Sequence, residues 1–132
     1  FFLSGYIMNT YLKSKLHGAT VTNAELHYDG SVAIDEILLN LADIAEFEQI
    51  DVYNVTNGQR WTTYALKAEP NSGIISVNGA GARLCQVGDI VIICCYSTDH
   101  LQPTPKLVYL KGDINLIDKV SKSIDTQMSD VV

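Results

Sequence analysis

Three dipeptides punctuate this chain: Asp29-Gly30, Asn57-Gly58 and Asn78-Gly79. Each suits a turn that needs φ > 0, and each lies between short segments rich in β-branched or alternating apolar residues. A chain broken this often builds short strands rather than long helices. "ATVTNAEL", "SVAID", "QIDVYNV", "RWTTYALKAE", "GIISVNG", "GDIVIICCYS" and "PKLVYLK" read as those strands. "TNGQ" predicts a tight hairpin with φ > 0 at both Asn57 and Gly58. "DEILLNLADI" predicts one short helix with Asp35 as its N-cap, and "AGARLCQ" a short helix or helical turn. The polar stretch from about Asp118 onward, "DKVSKSIDTQMSDVV", predicts a frayed tail. Short strands joined by Gly and Asn turns point to a mainly β, small barrel. With 132 residues and no dividing linker, residues 1–132 read as a single domain.

Composition narrows the partners. The formal net charge is -6 with no basic stripe, which argues against nucleic acid. There is no apolar run long enough for a bilayer, and the start "FFLSGYIMN" lacks the basic region and cleavage site of a secretory signal. Cys85, Cys94 and Cys95 are odd in number, and neighbours in a strand face opposite ways, so three reduced thiols and a cytoplasmic location are expected. His17, His27 and His100 are scattered, without the Cys/His spacing of a zinc site, and no metal is expected.

The chemically suggestive spot is Gly30-Ser31 inside "LHYDGSVAID". One reading is the tip of a hairpin. The other is reactive: a serine hydroxyl can attack the preceding glycine carbonyl through a five-membered ring and convert the amide to an ester. Removal of the serine α-proton then expels the ester by β-elimination, and hydrolysis of the resulting dehydroalanine leaves a pyruvoyl group and ammonia. That ketone is an electron sink of the kind pyridoxal phosphate provides. Glycine helps because the missing Cβ lets the backbone bend toward the hydroxyl.

Three ordered blocks carry a family resemblance. "LKSKLHGATVTNAELHYDGSVAID", "NVTNGQRWTTYAL" and "IISVNGAGARLCQVGDIVII" together resemble the pyruvoyl-dependent aspartate 1-decarboxylases, from about Leu12 to Ser97. The resemblance implies a six-stranded double-psi β-barrel with short helices, self-cleaved between Gly30 and Ser31. It implies a covalent pyruvoyl group derived from Ser31, Schiff-base decarboxylation of L-aspartate to β-alanine and carbon dioxide, and a supply of β-alanine to pantothenate and coenzyme A. It implies a homotetramer with sites between neighbouring subunits, so that Arg60 and Ser31 could meet across an interface, and for some members a helper protein for maturation. A double-psi barrel that stays uncleaved and serves as a binding or assembly module is the alternative.

Residue by residue, the resemblance assigns Arg60 and Lys15 to substrate carboxylates, a role that a planar guanidinium suits. Tyr64 matches the proton donor. Thr63 matches a residue that contacts substrate and supports cleavage at Gly30-Ser31 by hydrogen-bonding the carbonyl oxygen. Asn78, Gly79, Ala80 and Gly81 match the substrate-binding loop, His17 a possible orienting group, and Tyr28 a possible wall beside the scissile bond. In a strand Arg60 and Tyr64 share a face while Thr63 points away. The chain departs from the family at Asn9, where a basic residue is usual. It departs also at Gly81, where "NGAAAR" would have alanine and glycine is expected to loosen the loop, and in the shortened "TDHLQPTP".

Overall fold

The computed structural model describes residues 7–122. Nine strands form in chain order: β1 (Asn9–Thr20), β2 (Asn23–Glu25), β3 (Ser31–Asp35), β4 (Gln49–Asn54), β5 (Arg60–Ala68), β6 (Ile75–Asn78), β7 (Ile90–Asp99), β8 (Lys106–Lys111) and β9 (Leu116–Ser121). One helix, α1 (Glu36–Leu41), follows β3, and a 3-10 turn (Gly79–Arg83) follows β6. The mainly β expectation holds, and the described residues form nine strands, three more than the six expected of the barrel. They hydrogen-bond in the order β2-β6-β3-β5-β4-β7-β1-β8-β9. Three contacts in this order are parallel: β3 with β5, β2 with β6 and β1 with β8.

Alternation explains the core. Ile50 and Val52 of β4, Val91 and Ile93 of β7, and Val32 and Ile34 of β3 all bury their side chains on one side of the sheet. Leu38 and Leu39 of α1 join them. The outer face of β4 and β5 keeps polar and aromatic residues at the intervening positions, while β7 presents Ile90, Ile92, Cys94 and Tyr96 there.

Several local expectations change for identifiable reasons. The Asp-Gly-Ser stretch is not a hairpin tip, because β2 and β3 do not pair: β6 lies between them, parallel to β2 and antiparallel to β3. The "TNGQ" turn is wider than a two-residue hairpin, with positive φ at Gly58 but not at Asn57. The buried Asn54 captures the chain instead. Its Oδ1 accepts from the N–H of Thr56 (2.9 Å) and of Asn57 (3.3 Å), which opens the loop. The helix stops at Leu41 because Asp43 takes a left-handed φ of 54°. The segment before Ala19 was not read as strand, yet β1 begins at Asn9; register shifts between Leu12 and Ser14 and between His17 and Ala19 break its alternation. The polar stretch expected to fray from Asp118 pairs with β8 as far as Ser121. Its remainder, and residues 1–6, lie outside the described residues.

Two buried polar side chains tie the loops at the end of the sheet away from Ser31. Asp35 caps α1 by accepting from Ile37 N–H (2.9 Å), and the same carboxylate accepts from the N–H groups of Asn71 (3.1 Å) and Gly73 (2.9 Å). Asn115 accepts from Thr20 N–H (2.6 Å) and donates to the carbonyls of Thr20 (3.0 Å) and Gly73 (2.8 Å). Gly73, at φ 69°, must be glycine: a Cβ there would lie 2.2 Å from the Ile114 carbonyl oxygen. Removing the Asp35 carboxylate deletes a helix cap and strands two further N–H groups. Asp35→Ala is expected to lower stability by about 3 kcal/mol, read as a shift in urea midpoint.

Candidate active site

Ser31 opens β3 and its hydroxyl is almost fully enclosed, at 2% exposure. In the antiparallel register it stands opposite Asn78, the last residue of β6. Asn78 Nδ2 donates to Ser31 Oγ at 3.2 Å, and Ser76 Oγ donates to Asn78 Oδ1 at 3.2 Å. The serine on the other side of the amide thus decides which end of it faces Ser31. Next in sequence, Gly79 has φ 76°, and a Cβ on it would meet Gly30 Cα at 2.6 Å and Gly30 N at 2.8 Å. Only glycine lets the loop of residue 30 lie against the end of β6. Ser31 borders a cavity of about 480 Å³ whose walls include His27, Tyr28, Asp29, Leu66 and Asn78.

A second group gathers on the outer face of the sheet. Paired residues of neighbouring strands point to the same side. One row therefore crosses from Lys15 (β1) through Cys94 (β7) and Asp51 (β4) to Thr62 (β5). The next row on β4 and β5 holds Tyr53 and Arg60. Arg60 Cζ lies 4.2 Å from the centroid of the Tyr53 ring, and Tyr53 and Tyr96 share a hydrogen bond between their hydroxyls at 3.0 Å. Burial pushes the Cys94 thiol up and Asp51 adds to the rise, against the opposing pull of Tyr96, Lys15 and Arg60. Lys15 Nζ also sits 5.7 Å from the Tyr109 ring, and the His17 ring packs on the same tyrosine at 5.2 Å. Burial, then Lys15, lowers the His17 pKa, leaving the ring neutral at neutral pH; its Nδ1 is buried without a hydrogen-bond partner.

The structure therefore brings Ser31, Asn78, Gly79 and Gly30 together, and places Lys15 and Arg60 on one face of the sheet but three strands apart. Tyr64 and Arg60 share the exposed face of β5, as alternation predicts, while Thr63 lies on the opposite face with Trp61. Ala80 and Gly81 sit in the 3-10 turn that follows Asn78. Two features escaped the sequence reading. One is the Tyr53–Tyr96 pair, whose members are 43 residues apart and carry no mutual signal. The other is the reason for Gly81. A Cβ at that position would lie 2.6 Å from Trp61 Nε1, so glycine accommodates the indole rather than loosening the loop.

The cysteines are poor nucleophiles: burial pushes Cys85 up to about 11 and Cys95 up to about 12, and all three thiols are free. Among the described residues no three His, Cys, Asp or Glu side chains converge, and no helix is long and apolar enough to cross a membrane.

The Gly81–Trp61 contact makes a direct prediction. Gly81→Ala is expected to cost about 1–3 kcal/mol of stability through overpacking. Adding Trp61→Phe should recover most of the loss, and a double-mutant cycle in urea measures that coupling.

The family model for aspartate decarboxylase matches residues 7–117, which spans both groups of site residues. A protein of Methylobacillus flagellatus named aspartate 1-decarboxylase is 56% identical over 111 residues, covering 81% of this chain and 88% of that protein. One of Methylococcus capsulatus with the same name is 52% identical over 125 residues, covering 92% and 98%. A third, from Acinetobacter baumannii, is 47% identical across 93% of this chain and its own full length. Similarity this high, sustained through both the Ser31 edge and the cationic face, means that the chain belongs to the aspartate decarboxylase family.

Proposed function

We propose that this protein decarboxylates L-aspartate to β-alanine and carbon dioxide, feeding pantothenate and coenzyme A synthesis, after cutting its own Gly30–Ser31 bond. The observation that carries the cleavage is the enclosed Ser31 hydroxyl held by the Asn78 amide beside a glycine that has no Cβ to obstruct attack. Ser31 Oγ attacks the Gly30 carbonyl carbon, and the amide nitrogen departs as the Gly30 acyl group moves to oxygen. Loss of the Ser31 α-proton then expels the Gly30 carboxylate, and water releases ammonia from what was residue 31. Thr63 is our choice for the hydrogen bond to the Gly30 carbonyl oxygen. Support comes from the parallel β3–β5 register: two steps back from Val32–Ala65, Gly30 stands level with Thr63.

The cavity at Ser31 has room for a pyruvoyl cap and a substrate. Such a group supplies a sink for the electron pair that the departing carboxylate leaves behind. The side chains do the rest. One step back in the same register, Tyr64 stands level with Ser31, which suits it to return a proton to carbon. Arg60 and Lys15 hold the carboxylates, while Asn78 and the N–H groups of Gly79, Ala80 and Gly81 line the approach. Arg60 stands four residues from Tyr64, about 13 Å along the strand. That separation exceeds the length of a four-carbon diacid, and it favours a homotetramer in which the Arg60 of one copy serves the Ser31 of its neighbour. The parallel contacts of β3 with β5 and of β1 with β8 are crossovers that a double-psi barrel would need, and we read the central strands that way. A cytoplasmic setting fits the three free thiols.

Denaturing mass spectrometry of the purified protein tests the cleavage: two chains divided after Gly30 are expected, with residue 31 carrying a pyruvoyl cap. Ser31→Ala should give one intact chain and no β-alanine; scission at the same bond in that variant would remove the serine from its role. If cleavage of the natural chain is incomplete until cell extract is added, a maturation factor is part of the system. Tyr64→Phe should still cleave itself fully, yet form β-alanine at least about a hundredfold more slowly.

A further inference from the structure

Arg60 is the first residue of β5, exposed and directly after a loop, a position where a long flexible side chain would normally sample many rotamers. Here its guanidinium lies over an aromatic face. Arg60 Cζ is 4.2 Å from the Tyr53 centroid, within the range of a cation–π contact. Tyr53 is in turn anchored from the next strand, its hydroxyl 3.0 Å from that of Tyr96. Stacking occupies the flat face of the guanidinium and leaves its edge, where the N–H groups point, unobstructed. The nearby carboxylate on this face, Asp51, already accepts from the Thr62 hydroxyl, and Arg60 has no ion-pair partner among the described residues.

We propose that Tyr53 and Tyr96 form a positioning pair that holds Arg60 with its N–H fork open, and thereby sets the affinity for a dicarboxylate substrate. The inference rests on the reading of Arg60 as a carboxylate-binding residue. It adds two residues from separate strands that the substrate does not need to touch. The pair acts by preorganisation: a guanidinium already stacked loses less rotational freedom when it grips a carboxylate. Burial first, and then the bond to Tyr53, pushes the Tyr96 phenol well up, so the Tyr96 hydroxyl is kept as a partner for Tyr53.

Fully self-cleaved variants carry the test, with aspartate kinetics and calorimetric binding of succinate, a dicarboxylate that cannot react. Tyr53→Ala is expected to raise both KM for aspartate and the succinate Kd about tenfold, with kcat within about twofold of the natural enzyme. Tyr53→Trp, which keeps an aromatic face, should stay within about threefold. Tyr96→Phe and Tyr53→Phe lose only the hydroxyl bond and should weaken succinate about threefold, and they carry the test if Tyr53→Ala does not fold. Succinate affinity unchanged in the tyrosine variants but lost in Arg60→Ala would overturn the positioning role and leave the Arg60 reading standing. Unchanged succinate affinity in Arg60→Ala would overturn the reading of Arg60 and this inference with it.

Discussion

The insertion of β6 between β2 and β3 is the constraint on which the rest of the site depends. It separates two strands that are joined by only five residues and denies the Asp29-Gly30 dipeptide the hairpin its sequence invites. The connecting loop must pass over the end of β6 instead. There it meets Gly79, and the absence of a side chain at that position permits the close approach of Gly30. The same pairing puts Asn78 opposite Ser31, so one strand supplies both the room for the Gly30–Ser31 peptide and the amide that holds the Ser31 hydroxyl. A side chain at residue 79 would push the two apart, whatever happened at Ser31 itself.

The outer face of the sheet follows a different logic. Its inner counterpart is filled by Ile50, Val52, Val91 and Ile93 and leaves nothing to adjust. The outer positions of β1, β4, β5 and β7 are free to carry Lys15, Tyr53, Arg60, Cys94 and Tyr96 without disturbing that packing. Cross-strand register brings residues from distant parts of the chain into adjacent rows, and aromatic rings rather than carboxylates support the two cations. A cation stacked on a ring keeps its charge available for a ligand, whereas an ion pair would spend it. Lys13 shows the contrast, tied to Glu48 at 2.8 Å and committed to structure.

Rigidity at the far end complements the site. Asp35 and Asn115 fasten the loop around Gly73 to the start of α1 and to the end of β1 through six side-chain hydrogen bonds. β3 runs from that anchored end to Ser31, so Ser31 begins a strand whose other end is pinned.

Local chemistry settled a good deal before any fold was known. The β-rich segments from Ser31, Gln49, Arg60, Gly73, Gly88 and Pro105 are strands because alternation and β-branching act over a few residues, and Asp35 caps its helix for the same short-range reason. Alternation also placed Arg60 and Tyr64 on one face with Thr63 on the other. Family likeness in the blocks around Ser31, Arg60 and Asn78 supplied the candidate site residues. The tertiary structure alone decided what those residues meet. Asn57-Gly58 looked like a two-residue turn, but the side chain of Asn54 outcompeted that geometry. Bulges hid β1, and pairing with β8 drew Asp118 to Ser121 into a strand despite their polarity. Gly81 is explained by Trp61, which packs where a Cβ would lie, and Tyr53 meets Tyr96 only because β4 and β7 are neighbours in the sheet. Turn and strand preferences are properties of neighbouring residues, so the sequence by itself determined them; strand order and register are long-range pairings bought with loop entropy, and no local pattern encodes them.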